Sequence, residues 1–166
     1  MGILSDIRVR QPAKGDLVGR EFTVTGIGTG FEGTIGMRLL NRAGKVVATG
    51  FAQSSGGMAA IGEFTTALTV ASPPRAGTPL TLQVFGDNPG PGSGPGSDLR
   101  EVEVVMYPDL IGWLLYRVEK GDTLTGIVKK ARDFGRTTVP QIVAANDQVT
   151  DPDKIQTGWK LRIPLS

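Results

Sequence analysis

The sequence predicts two domains, an all-β sandwich over residues 1–108 followed by a small α+β domain over residues 116–166. Up to residue 108, apolar residues recur at every second position in short stretches separated by turn residues, which is typical of half-buried antiparallel strands. After residue 108, the apolar residues switch to helical spacing. A length of 166 residues accommodates two small units of this kind.

About seven amphipathic strands are predicted in the first domain. The stretch "REFTVTG" places Phe22 and Val24 on one face and threonines on the other, and "TIGMRLL" alternates in the same way. The alternating pattern predicts a sandwich whose sheets bury every second side chain. The remaining predicted strands are "IRV", "KVVATGFA", "GEFTTALTV", "PLTLQVF" and "LREVEVVMYP".

The stretch "FGDNPGPGSGPGSDLR" has the composition of a flexible tether between domains. It is followed, however, by an amphipathic strand that contains Val102, Val104 and Met106. A lone strand cannot bury its apolar face, whereas this strand completes the sandwich. Residues 86–98 are therefore predicted to form a long hairpin loop inside the first domain, since closure entropy grows only slowly with loop length.

The second domain is predicted to consist of a strand, two helices and a closing strand. A short strand is expected at Leu115–Val118, and Asp122 is expected to cap the next helix by accepting hydrogen bonds from unpaired backbone N–H groups. Thr138 and Gln141 have the spacing of a capping box, and the closing strand covers Leu161–Ile163. The first helix has apolar residues at i, i+3, i+4 and i+7, namely Leu124, Ile127, Val128 and Ala131.

Residues 109–115 are predicted to form a short linker between the two domains. The linker is apolar, unlike a free tether. We therefore expect its apolar side chains to pack between the domains and fix their relative orientation. These side chains are Leu110, Ile111, Trp113 and Leu114.

The first domain contains a P-x-x-G turn in "IRVRQPAKGDLVGREF", a G-x-V-x-A-x-G hairpin in "GKVVATG" and a final strand in "REVEVVMYP". In these features it resembles the immunoglobulin-like domain of bacterial spore germination proteins. The resemblance implies an immunoglobulin-like β-sandwich without catalytic activity.

The segments "YRVEKGDTLTGIV", "TTVPQIVAAN" and "DKIQTGWKLRIP" resemble a LysM domain, over Tyr116 to Pro164. LysM domains bind polymers that contain N-acetylglucosamine, such as peptidoglycan or chitin. The resemblance implies a shallow groove between the loops "KGDTL" and "DPDKI". The implied glycan-binding residues are Gly121, Asp122, Thr123 and Leu124 on one wall, and Asp153, Lys154 and Ile155 on the other.

Several of these residues also have a purely structural interpretation. Gly121 can serve only the turn, Asp122 only the helix cap, and Leu124 and Ile155 only the core. Trp159 stands where LysM sequences usually have glutamine. It either stacks on a sugar face or packs against the other domain.

Composition excludes several classes of function. The chain has no histidine and no cysteine, which excludes the usual zinc sites, cysteine nucleophiles and histidine-based triads. The net charge of +2 is too small to indicate a nucleic-acid partner, and the longest apolar run, "LIGWLL", is too short to span a membrane. The motif Gly28-x-Gly30-x-x-Gly33 precedes a strand rather than a helix, so no dinucleotide is expected. We expect no enzyme activity, no cofactor and no metal.

The sequence therefore predicts a non-enzymatic protein that binds peptidoglycan or another N-acetylglucosamine polymer through the LysM domain. The sandwich is expected to act as a spacer or to contact a protein partner. The alternative is an assembly protein that uses both domains for protein contacts without binding glycan. A cell-envelope or extracellular location is expected if an export signal has been removed. No signal peptide follows Met1, so a cytoplasmic location stays open.

Overall fold

The structure, a computed structural model, describes residues 4–87, 96 and 98–166. Within these residues the regular secondary structure is mostly β-strand, with two short α-helices near the C-terminal end. The elements follow the order β1 (Arg8–Gln11), β2 (Asp16–Val18), β3 (Glu21–Gly28), β4 (Thr34–Leu40), β5 (Val46–Gln53), β6 (Gly62–Thr69), β7 (Thr78–Gly86), β8 (Arg100–Met106), β9 (Gly112–Arg117), α1 (Leu124–Ala131), α2 (Val139–Ala144) and β10 (Lys160–Leu165).

The first eight strands form the predicted sandwich. One sheet has the order β1-β3-β6 and the other the order β2-β8-β7-β4-β5. The two sheets pack face to face at Gly50, where an added Cβ would lie 2.9 Å from Leu68 of one sheet and 3.5 Å from Met37 of the other. Residues with little or no exposure line this interior, among them Val24, Ile35, Leu39, Phe64, Leu82 and Val84.

Strand β2 was not predicted from the sequence. It is only three residues long, Asp16–Val18, which is too short for an alternating apolar pattern to be recognised. The other predicted strands agree with the structure to within a few residues at each end. The glycine-rich connection after β3 contains a short 3₁₀ turn, Phe31–Gly33, and leads directly into β4, as expected for a strand connection and not for a dinucleotide-binding loop.

Most of the predicted loop 86–98 lies outside the described residues, but its flanking strands are well defined. Strand β7 ends at Gly86, β8 begins at Arg100, and the two strands are neighbours in one sheet. The Asp98 carboxylate accepts a hydrogen bond from the Ile7 N–H, and Arg100 Nε donates to the Ile7 carbonyl at 2.9 Å. The chain therefore returns to the same sheet after the Gly/Pro stretch.

The chain divides into two compact units. The first unit comprises Met1–Asp16, Glu21–Pro73 and Pro79–Val104, and the second comprises Leu17–Arg20, Pro74–Thr78 and Val105–Ser166. Within the second unit, Tyr107 is buried against Leu17 and Ala145, and its hydroxyl donates to the Gln141 carbonyl at 2.6 Å. These contacts explain why Val105 to Tyr107 belong to the second unit.

The second unit contains the predicted strand–helix–helix–strand arrangement. Strands β9 and β10 pair in antiparallel register, from Gly112 opposite Leu165 to Arg117 opposite Lys160. Strand β9 starts three residues before the expected Leu115. Four of the seven residues predicted as a linker, Gly112–Leu115, are thus part of this sheet.

The four apolar residues of the predicted linker do not form one packed set. Leu114 packs against the core of the second unit, and Leu110 is half-buried beside Tyr107. Ile111 and Trp113 are 72% and 39% exposed. Strand alternation directs Trp113 to the face opposite Leu114. The packing of these side chains between the domains stays a prediction.

Asn146 joins α2 to β10 inside the second unit. Its side chain, 2% exposed as a residue, donates to the carbonyls of Ile142 and Arg162 at 2.7 Å and accepts from the Arg162 N–H at 2.8 Å. A buried amide with all these bonds made is stabilising, because each of its partners would otherwise lack a hydrogen bond.

We expect Asn146→Ala to lower the free energy of unfolding of the second unit by about 2–3 kcal/mol, because it leaves polar backbone groups of Arg162 and Ile142 without their partner. Both tryptophans, Trp113 and Trp159, lie in this unit, so urea unfolding followed by tryptophan fluorescence measures it. Gln148→Ala is the control: Gln148 also donates to a β10 carbonyl, at 2.9 Å, but is exposed. Its loss should cost under about 0.5 kcal/mol. Equal effects of the two substitutions would contradict the prediction.

Candidate functional site

The two loops that were predicted to form a groove leave the β9–β10 sheet at the same end. Arg117, the last residue of β9, lies opposite Lys160, the first residue of β10. The pairing continues one step further, since the Val118 N–H donates to the Trp159 carbonyl and the Gly158 N–H donates to the Val118 carbonyl, each at 2.8 Å. Residues 119–123, here called the first loop, and residues 151–155, the second loop, therefore follow and precede neighbouring strand ends.

The helix cap in the first loop is Thr123 and not Asp122, which corrects the prediction. Thr123 Oγ1 accepts a hydrogen bond from the Gly126 N–H at 3.0 Å at the start of α1. The Asp122 carboxylate instead accepts from the Glu119 N–H, the Tyr116 hydroxyl and Lys130 Nζ, each at 2.8 Å. Asp122 thus closes the first loop on itself and ties it to β9 and α1.

This network shifts the ionisation of Asp122. The hydrogen bond from Lys130, followed by that from the Glu119 N–H, lowers the pKa of Asp122 to about 2. The same contact with Asp122 raises the pKa of Lys130 above its ordinary value. The Asp122 side chain is only 9% exposed, and its oxygens are engaged by groups of its own domain. Its geometry therefore favours a structural role over direct contact with a ligand.

The second loop is organised by Asp151, a residue that the sequence analysis did not single out. Its carboxylate accepts from the Asp153 N–H at 3.0 Å and pairs with Lys154 Nζ at 3.0 Å, while the Lys154 N–H donates to the Asp151 carbonyl. The hydrogen bond from the Asp153 N–H, and then that from Lys154, lowers the pKa of Asp151. The "DPD" sequence is a recognisable turn signal, and an Asp at its start is the usual acceptor for such a turn. Asp153 and Lys154 are exposed.

The two loops share one apolar support. Leu124 is 2% exposed and belongs to the domain core, and Ile155 is half-buried against the same core. Of these two side chains, Ile155 leaves apolar surface accessible at the loops, whereas the Leu124 side chain is assigned to the core. Trp159 is half-buried against this core as well, and the stacking role expected from the sequence stays a prediction.

The loops also leave backbone donors available. Gly121 is exposed and has a φ of 87°, a conformation that glycine adopts readily. Within the described residues, the N–H groups of Gly121, Thr123 and Ile155 form no hydrogen bond with the protein. The site therefore combines free backbone groups with one aliphatic side chain, and it carries few free charges.

Residues 6–93 match the family model described as the immunoglobulin-like domain of bacterial spore germination, and residues 116–164 match the model of the LysM domain. The first match spans more than half of the chain. The chain belongs to this immunoglobulin-like family and carries a LysM domain. Both resemblances seen in the sequence are thereby confirmed, in the predicted order.

Two further comparisons do not extend this family assignment. A search of curated proteins finds no match. Among solved structures, the chain is similar to CopC from Methylosinus trichosporium OB3b, with 17% identity and a TM-score of 0.37, over 63% of this chain and 95% of that chain. At this TM-score the likeness carries no argument.

The LysM match indicates the general class of ligand. LysM domains are generally modules that bind peptidoglycan or other N-acetylglucosamine polymers, and they occur in cell-envelope and extracellular proteins. Both domain types found here are typically non-catalytic. Among the described residues, no helix has the length and apolar character needed to cross a membrane.

We expect Asp122→Asn to destabilise the LysM domain at neutral pH but not at low pH. Because the pKa of Asp122 is lower in the folded than in the unfolded chain, its carboxylate stabilises the fold above about pH 4, and this contribution is lost as the pH falls to about 2. The urea midpoints of the wild type and the variant should therefore differ at pH 7 and converge at about pH 2. Asp147→Asn, which alters an exposed carboxylate of the same domain, is the control. A difference that persists at low pH would show that Asp122 does not act through its charge.

Proposed function

We propose that the LysM domain binds N-acetylglucosamine-containing cell-wall polysaccharide, specifically peptidoglycan, in the groove between the first and second loops. The observation that carries the proposal is the position of both loops at one end of the β9–β10 sheet, with free backbone N–H groups on each. The general ligand class of LysM domains supports it.

The chemistry of the loops suits an N-acetyl group. This group offers one N–H donor, one carbonyl acceptor and a methyl group. The free N–H groups of Gly121 and Thr123 can donate to its carbonyl oxygen, and the exposed part of Ile155 can contact its methyl group. Asp122 and Asp151 are engaged by their own loops, so they order the groove without presenting free charge to an uncharged ligand.

The immunoglobulin-like domain is proposed to be a spacer or a protein-interaction domain in the same envelope protein. Its described residues form a sandwich with a filled apolar interior, and its family is typically non-catalytic. The protein as a whole is proposed to be a non-enzymatic binding protein that lies in the cell envelope or outside the cell.

The test is a titration of the intact ¹⁵N-labelled protein with an N-acetylglucosamine tetramer and with muropeptide-bearing peptidoglycan fragments, followed by two-dimensional NMR. Saturable shifts are expected at the amides of Gly121, Thr123, Asp153 and Ile155, with a dissociation constant of about 1 mM, which corresponds to about 4 kcal/mol. A glucose tetramer with the same linkage is the matched control ligand, because it lacks only the N-acetyl groups. Equal binding of both tetramers, or no shifts at about 10 mM ligand, would contradict the proposal.

We expect Ile155→Ala to weaken binding of the N-acetylglucosamine tetramer about fivefold, because loss of this apolar contact costs about 1 kcal/mol. Val143→Ala is the matched control variant. Val143 is also a half-buried aliphatic residue packed on the same core, but it lies in α2 and not in a loop. Its substitution should change the affinity less than twofold. If both variants bind alike, Ile155 acts only through stability.

A further inference from the structure

One face of the β9–β10 sheet lies opposite the domain core, and its β9 side chains are exposed. Along β9, Leu114 and Tyr116 turn inward and pack on the core, whereas Trp113, Leu115 and Arg117 turn outward. Leu115 is 67% exposed and Trp113 is 39% exposed. The sheet thus presents to solvent two large apolar side chains that contribute nothing to the core.

The outward face is uniformly apolar or basic. Paired residues of an antiparallel sheet point to the same side, so Pro164, Arg162 and Lys160 of β10 accompany Trp113, Leu115 and Arg117 of β9. No carboxylate occupies any of these six positions. Arg117 and Lys160 form no ion pair within the described part of the chain. We call these six residues the outer face; Arg117 and Lys160 are exposed, whereas Arg162 is half-buried and Pro164 is buried.

The two edges of this sheet are not equivalent. The outer edge of β10 is covered, because Gln148 bonds the Lys160 carbonyl and Asn146 bonds both backbone groups of Arg162. Residues 160 and 162 therefore direct their backbone groups away from β9, and residues 161, 163 and 165 direct theirs toward it.

The register also determines which backbone groups of β9 point toward β10 and which point away from it. Residues 112, 114 and 116 pair with β10, so the backbone groups of Trp113, Leu115 and Arg117 point away from the sheet. Among the described residues, β10 is the only strand beside β9. Strand β9 therefore offers an open edge of six residues, about 20 Å long, next to the outer face. Such edges pair readily with added strands.

We propose that the open edge of β9 and the outer face bind an extended, acidic segment of a partner protein by strand addition. An extended segment fits, because the free N–H and C=O groups of Trp113, Leu115 and Arg117 repeat at the spacing of a strand. An acidic segment fits, because the outer face carries the exposed Arg117 and Lys160, which form no ion pair within the described part of the chain, and carries no carboxylate. Because successive side chains of a strand point to opposite faces, carboxylates at every second position of the segment would lie on the outer face beside Arg117 and Lys160, and the apolar residues between them would lie on the other face of the sheet.

This surface is separate from the proposed glycan groove. The groove uses the first and second loops, whereas the strand-addition surface uses β9 and the outer face of the sheet. Both surfaces can therefore be tested independently in the same intact protein.

The test uses two synthetic peptides of about ten residues, one that alternates glutamate with valine and one that alternates lysine with valine. The acidic peptide should shift the amides of Trp113, Leu115 and Arg117 in NMR spectra and slow their hydrogen exchange, while Leu114 and Tyr116, already paired with β10, change little. It should bind at least about tenfold more tightly than the basic peptide. Equal affinity for both peptides, or no protection of these three amides, would overturn the proposal.

The variant Arg117→Glu combined with Lys160→Glu should invert the preference, so that the basic peptide binds more tightly. Both residues are exposed, and two-dimensional NMR of the variant checks that the fold is retained. Ile155→Ala should leave acidic-peptide binding unchanged, which separates a failure of this proposal from a failure of the glycan proposal.

Sedimentation analysis of the free protein completes the test. A dimer in which the same β9 amides are protected would overturn the proposal of a partner protein and would show that a second copy of this chain binds the β9 edge.

Discussion

The antiparallel pairing of β9 with β10 is the constraint on which both proposed surfaces of the LysM domain depend. Its register brings the start of the first loop and the segment that follows the second loop to the same end of the sheet. The same register decides which backbone groups of β9 face away from the sheet. Asn146 holds this arrangement from the other side, because its buried amide joins the end of α2 to Arg162 in the middle of β10. A small domain with one sheet and two short helices gains most of its order from such shared contacts.

The carboxylates of Asp122 and Asp151 form their hydrogen bonds and ion pairs within the LysM domain and so hold the two loops in place. Asp122 binds Lys130, Tyr116 and the Glu119 N–H, and Asp151 binds the second loop in a similar way. Backbone groups and an aliphatic side chain are then left to face a ligand, which is the chemistry that an N-acetylated sugar offers in return. The outer face of the sheet has the opposite character, since its exposed Arg117 and Lys160 form no ion pair within the described part of the chain. The LysM domain is thus proposed to combine a groove for an uncharged ligand with a face for an acidic one.

Local sequence patterns predicted much of this structure because they depend on near neighbours in the chain. Period-two alternation located most strands of the sandwich, and the spacing of Leu124, Ile127 and Ala131 located the first helix. Local patterns were insufficient at Asp122, which was expected to cap the first helix, since its carboxylate is engaged by Lys130 and Tyr116, several residues away, and Thr123 is the cap. They were also insufficient for the apolar segment before Tyr116, because a strand with one exposed face resembles a linker until its partner strand is known.

The sequence by itself determined the two domain types, their order and the two loops that form the candidate groove, because these follow from alternation, helical spacing and short motifs. Only the tertiary structure decided that Leu124 belongs to the core, that Asp122 is engaged by its own domain and that Trp113 and Leu115 are exposed. The physical reason is that burial and hydrogen-bond partners depend on residues brought together by folding. In this domain, the pairing of β9 with β10 and the packing of both helices against them bring those residues together.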